Sequence, residues 1–170
     1  LPPFYYKNPS EDGLFRFFAD VIEDVGDNDL KVYLYHIPPV AQVGFSLKLI
    51  ERLLKAYPRT IVGLKDSSGD WSNTKAILEN FPSLEVFPGS EAFLLDALRL
   101  GGAGCISASA NVAAKSIRRV FDSWQGGDAD RIQAEVTALR LGFQKYPLIP
   151  LLKAIVAHYR NDPDWANVRP

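Results

Sequence analysis

The sequence predicts an α/β fold built on parallel strands. Two observations carry that expectation. Short β-branched and aromatic runs alternate with helical patterns, and the runs begin at intervals of roughly 20 to 30 residues. Within the runs, aliphatic side chains fall on one face, while tyrosine, glycine and lysine fall on the other. Helices would cover the aliphatic face, and the mixed face suits the interior of a barrel.

The 170 residues are 47% apolar and 23% charged, with 19 basic and 20 acidic side chains for a net charge of −1. That composition supports a full core and excludes disorder. It offers no basic footprint for nucleic acid and no apolar run long enough for a bilayer, so neither partner is expected. The single cysteine, Cys105, excludes an internal disulfide and suits the reducing cytoplasm. Two histidines and one cysteine give no basis for a metal site. The chain has no methionine and opens on Leu1-Pro2-Pro3-Phe4-Tyr5-Tyr6, which reads as the end of a strand. A longer parent chain is the expectation.

Ser10 caps a helix whose inward positions are Leu14, Phe17, Phe18, Val21, Ile22 and Val25, and Gly26 closes it. Residues 30–35 form a strand stopped by Pro38-Pro39. A helix over 45–57 follows, capped by Ser46 and ended by Pro58. Residues 60–64 are the next strand, with Ile61, Gly63 and Lys65 on the mixed face. A polar turn over 66–70 leads into a helix over 72–80. Residues 84–87 are a short strand, 90–100 a helix closed by Gly101-Gly102, and 104–107 a strand of small residues. Helices near 111–124, 128–145 and 148–160 complete the chain. Residues 1–110 are thus expected to form a partial barrel, and 111–170 the last barrel helix with a helical segment. Five parallel strands do not close a barrel, which needs eight. Either another segment supplies the rest, or the sheet is open and doubly wound.

Lys65 ends an apolar strand at the carboxyl end of the sheet, where active sites of such folds lie. An amine held among apolar neighbours loses hydration of its charged form, which favours the neutral nucleophile that attacks a carbonyl. The alternative is a lysine that snorkels to water. Tyr35 ends the preceding strand at the same level and on the same face, and its phenol could relay protons. Alone it would read as a core tyrosine with a satisfied hydroxyl. Tyr5 and Tyr6 end the first strand similarly. Gly101-Gly102-Ala103-Gly104 precedes a strand and lacks the lysine of a phosphate loop. His36 alternates away from the Tyr35 face, which gives it a packing role. His158 and Cys105 read as packed side chains.

Five motifs in order resemble the carboxyl-terminal part of the dihydrodipicolinate synthase and N-acetylneuraminate lyase family. They are Pro3-Phe4-Tyr5-Tyr6, Tyr35-His36-Ile37-Pro38, the run from Gly63-Leu64-Lys65 through Asp66-Ser67-Ser68-Gly69-Asp70, Pro88-Gly89-Ser90-Glu91, and Gly101-Gly102-Ala103-Gly104-Cys105-Ile106-Ser107. The resemblance implies a parallel (β/α)8 TIM barrel, with this chain covering about strands 4–8 plus extra carboxyl-terminal helices. It implies a class I lyase or synthase that binds pyruvate or another 2-oxo acid as an imine on Lys65, with no diffusible cofactor and an aldehyde as second substrate. Tyr35 matches the proton-shuttling tyrosine, and Tyr6 a tyrosine that completes a relay across a subunit interface, which implies a homo-oligomer. The carbonyl of Ile106 matches one facing the pyruvate, while Ser67, Gly89 and Glu91 match positions that touch the second substrate.

Two departures from the family pattern shape the expectation. The loop that holds the pyruvate carboxylate belongs to the second strand and is not in this chain. The dihydrodipicolinate synthase branch carries an arginine soon after the fifth-strand proline, whereas residues 38–44 contain none. A guanidinium suits a substrate carboxylate, so its absence favours a hydroxylated oxo acid or aldehyde. The alternatives are dihydrodipicolinate synthase proper and a non-catalytic barrel fragment serving as an assembly unit. The isolated 170 residues are expected to be inactive, because they lack the carboxylate loop and leave the interior face open.

Overall fold

The computed structural model describes residues 1–168, so the last two residues of the expected 111–170 segment lie outside the described residues. The elements in chain order are α1 (Glu11–Val25), β1 (Val32–His36), α2 (Pro38–Ala41), α3 (Leu47–Ala56), β2 (Ile61–Asp66), α4 (Trp71–Asn80) and β3 (Glu85–Pro88). A 3-10 turn (Glu91–Phe93) then runs into α5 (Leu94–Arg99), α6 (Ala110–Ser123), α7 (Ala129–Phe143) and α8 (Leu148–Arg160). No helix among the described residues is long and apolar enough to cross a membrane.

The helix ends follow from local chemistry. Ser10 Oγ accepts from Gly13 N at 3.1 Å, Ser46 Oγ from Leu49 N at 3.1 Å and Asp70 Oδ1 from Ser72 N at 2.9 Å, each satisfying a donor that the first turn leaves open. Gly26 ends α1 in the left-handed region, with φ 62°. Pro38-Pro39, read from the sequence only as a stop, open the short α2 instead. A proline in the first turn gives up a donor that has no intrahelical partner there.

β1, β2 and β3 form a parallel sheet in that order. Tyr35 aligns with Lys65 and Lys65 with Phe87. One residue earlier, Leu34 aligns with Leu64 and Leu64 with Val86. Leu34, Leu64 and Val86 are fully buried and join Leu49, Ile50, Leu53 and Ile77 in a core beneath α1, α3 and α4. The opposite face carries Tyr33, Tyr35, Gly63, Lys65, Glu85 and Phe87. A second apolar cluster joins α5, α6 and α7 through Leu94, Leu98, Ile117, Val120, Ile132 and Val136.

Three expectations change. Residues 1–6 form no strand. Pro2 and Pro3 have no N–H to give a ladder, and Phe4, Tyr5 and Tyr6 are exposed. Residues 104–107 also form no regular strand. Ala103 N and Ile106 N donate to Val86 O (3.0 Å) and Pro88 O (3.1 Å), three residues apart, and Gly104 between them takes φ 150°. The segment therefore lies along β3 as an irregular edge, and three regular strands stand where five were expected. Finally, Ile61 lies in the helix-covered core. The register pairs Val32 with Ile61 but Tyr33 with Gly63, so Val62 is an extra residue on β2. One extra residue moves everything before it to the other face.

Candidate active site

Lys65 and Tyr35 meet because parallel partners in register project to the same side. Lys65 Nζ donates to Tyr35 Oη at 3.0 Å, and the same nitrogen lies 4.1 Å from the centroid of the phenol ring. Below them, two residues toward the amino end, Tyr33 lays its ring over Gly63. A Cβ at position 63 would meet that ring at 2.2 Å, so only glycine fits. The Tyr33 hydroxyl reaches across β2 to hydrogen-bond Glu85 on β3.

The turn after Lys65 is fixed by Asp66. Its carboxylate is buried and accepts from Ser68 N (2.9 Å), Asn73 Nδ2 (3.0 Å) and Thr74 Oγ1 (2.6 Å). A buried carboxylate needs this many partners. Beyond it the strand ends stay tied together: Ser67 N donates to His36 O (2.7 Å) and Gly89 N to Asp66 O (2.6 Å). These bonds fix the position of Ser67 beside the carboxyl ends of β1 and β2. Burial pushes the Tyr35 phenol up, but the bond to Lys65, the Ser67 hydroxyl and the Lys65 charge outweigh it and hold the phenol below its ordinary value.

The expected residues separate into four groups. Lys65, Tyr35, Ser67 and Gly89 form one continuous set. Ile106 is tied to the end of β3 through Pro88 O and is partly exposed beside it. Glu91 is only 1% exposed, because the Ser107 hydroxyl and the Arg140 guanidinium wrap its carboxylate. Tyr6 is 77% exposed, stacks edge-on with Tyr5 at 5.3 Å, and has no hydrogen bond to Lys65 or Tyr35 among the described residues.

His36 is buried on the helix-covered face, where its Nδ1 accepts from Phe45 N at 2.9 Å. Burial lowers its pKa, and the nearby Asp66 charge opposes this in part. Burial pushes the Cys105 thiol up to about 12, which leaves it unreactive. Sequence reasoning missed Asp66, Arg140 and Gln133. The first had a signal in the Asp-Ser-Ser-Gly turn. Arg140 stands as one cation between Leu139 and Leu141.

Residues 1–159 match the model of the Dihydrodipicolinate synthetase family. The chain is 38% identical over 167 residues to an "Uncharacterized DapA-like lyase" of Chloroflexus aurantiacus, covering 98% of this chain and 56% of that protein. It is 33% identical over 147 residues to a 4-hydroxy-tetrahydrodipicolinate synthase of Listeria monocytogenes, covering 84% of this chain and 48% of that one. A crystal structure of dihydrodipicolinate synthase from Agrobacterium tumefaciens superposes with a TM-score of 0.85 at 37% identity, over 99% of this chain and 56% of that one. The chain spans about half the length of the curated relatives it matches. Parallel strands with a lysine and a tyrosine paired at their carboxyl ends, and this likeness over nearly the whole chain, place it in one group: it belongs to the Dihydrodipicolinate synthetase family.

Proposed function

We propose that the chain carries the imine-forming part of a class I lyase or synthase that acts on pyruvate or another 2-oxo acid and makes or breaks a carbon–carbon bond. The observation that supports this most directly is the 3.0 Å contact between Lys65 Nζ and Tyr35 Oη at the carboxyl end of the sheet. The neutral Lys65 amine adds to the 2-oxo carbon, and loss of water gives the imine. The imine draws the electron pair of the adjacent C–H bond, whose proton is taken up by the base, or of the C–C bond, as the hydroxyl on the far carbon gives up its proton and that fragment leaves as the aldehyde; either way an enamine results. In the synthetic direction the enamine carbon adds to an aldehyde, whose oxygen takes up a proton, and hydrolysis frees Lys65. Tyr35, hydrogen-bonded to Lys65, is the group that moves protons between these steps. No metal or diffusible cofactor enters the scheme, since the imine is itself the electron sink.

Ser67 and Gly89 line the side from which the aldehyde approaches. Residues 38–44 offer no guanidinium for a second carboxylate, which favours a hydroxylated partner. Dihydrodipicolinate synthesis is the second reading, supported by the name of the Listeria relative. Tyr6, exposed on the surface, suits a relay completed by another subunit or by an amino-terminal barrel segment.

The test is reductive trapping. The natural polypeptide carrying these residues is incubated with pyruvate, reduced with borohydride and digested. One reduced pyruvyl unit is expected on the peptide holding Lys65. An adduct on Lys7 or Lys153 instead, or none, rejects the proposal. Comparing aspartate semialdehyde with glyceraldehyde as acceptor then separates the two readings.

A further inference from the structure

The turn after β3 holds a carboxylate that is almost wholly enclosed. Glu91 Oε2 accepts from the Ser107 hydroxyl, and Arg140 Nη1 lies 3.5 Å from the same oxygen. That Nη1 also donates to Ser109 Oγ at 3.0 Å, and Ser109 N donates to Ser107 Oγ at 3.3 Å. Ser109 is fully buried and Ser107 nearly so. The set therefore joins three distant pieces of chain: the turn at Glu91, the segment 106–109 that runs beside β3, and helix α7. Gln133, two turns earlier on α7, grips the backbone of the same turn. Its Nε2 donates to Glu91 O (3.0 Å) and Ala92 O (3.4 Å), and its Oε1 accepts from Leu95 N (3.1 Å).

This arrangement is costly for Arg140. Its Nε is buried and has no partner among the described residues, and an unsatisfied buried donor destabilises a fold. An aliphatic residue such as its neighbours Leu139 and Leu141 would avoid that cost. What the guanidinium provides is a positive charge set against an enclosed carboxyl group, 3.5 Å from Glu91 Oε2. The Glu91 side chain in turn accepts from the Ser107 hydroxyl. Ser107 follows Ile106, which is exposed and whose N–H is bonded to Pro88 O at the end of β3, where Pro88 pairs with Asp66, the residue after Lys65.

We infer that Arg140 is a positioning residue for 2-oxo acid binding: through Glu91 and Ser107 it holds the Ile106 backbone at the mouth of the Lys65 site. The inference rests on the proposed function and on the bond from Ile106 N to Pro88 O, which ties this segment to the strand end beside Lys65 and Asp66. It gives Glu91 a different part from contact with the second substrate. An enclosed carboxylate acts from behind the wall of the site.

Pyruvate concentration dependence of borohydride trapping at Lys65 tests this without knowledge of the second substrate. In Arg140→Met and in Glu91→Gln, half-saturation is expected to move about tenfold or more to higher pyruvate, since small misplacements at a reacting site are costly. Arg140→Lys should recover part of the loss. The double variant Glu91→Met/Arg140→Met removes both charges together, a change that leaves stability nearly intact, and it should fold while keeping the pyruvate defect. Unchanged half-saturation in Arg140→Met overturns the inference alone. Recovery of normal pyruvate dependence in the double variant also overturns it, because the role would then be purely structural. Absence of any Lys65 adduct in the unaltered protein overturns the proposed function and the inference with it.

Discussion

Gly89 and Ser67 approach so closely that no side chain fits between them: a Cβ on Gly89 would stand 2.2 Å from Ser67 Oγ and 3.0 Å from Ser67 Cα. The second distance involves backbone, so rotating the serine does not relieve it. Gly89→Ala is expected to cost about 1–3 kcal/mol, the usual penalty for forcing atoms into a packed site. It should also separate Ser67 from Tyr35 and slow trapping of pyruvate at Lys65. Urea denaturation and trapping kinetics on the same variant check both parts. A variant with wild-type stability and trapping would show that the two strand ends have room to move apart.

Tyr35→Phe is expected to keep the fold, because the ring retains its place beside Lys65 and only the hydroxyl is lost. Turnover should fall about 10²–10⁴-fold, the range for losing a proton-transfer group. Steady-state kinetics with matched circular dichroism measure this. Unchanged kcat would reduce the phenol to a packing role.

His36 makes stability depend on pH with a definite sign. Burial lowers its pKa in the fold, so below about pH 6.5, the ordinary histidine value, the unfolded chain binds more protons than the folded one. Stability is therefore expected to fall as pH drops through that value and to be full above it. His36→Gln, which keeps an acceptor for Phe45 N, should flatten the response between roughly pH 7 and pH 5.5. Denaturation midpoints at the two pH values give the answer. Equal slopes in both proteins would assign the dependence to other groups.

The helices were legible because their signals are local. Ser10, Ser46 and Gly26 stand where caps were expected, and Leu14, Phe18 and Ile22 are buried as their spacing implies, but Phe17, Val21 and Val25, expected to face inward with them, are exposed because they flank that narrower stripe. The meeting of Lys65 and Tyr35 followed from strand alternation alone. The inward placement of Ile61 did not, because the extra residue Val62 exists only in relation to β1. The edge beside β3 was misjudged for a similar reason, since the left-handed Gly104 breaks a ladder that composition alone would continue. The enclosure of Glu91 was beyond local reading. It depends on Gln133, 42 residues further on, and on Arg140 beyond that, and no periodicity links such positions.

Strands that are neighbours in this sheet are also neighbours in the chain. That adjacency bears on the order in which the protein assembles. The Lys65–Tyr35 bond closes a loop of 30 residues, and closure entropy grows only slowly with length. One helical crossover, α3 packed on the first two strands, is enough to bring amine and phenol side by side. Gln133 must close 42 residues to reach the Glu91 turn, and it needs α5 and α7 already docked. During synthesis and refolding, the Lys65–Tyr35 pair can therefore form early, while the enclosure around Glu91 is completed late.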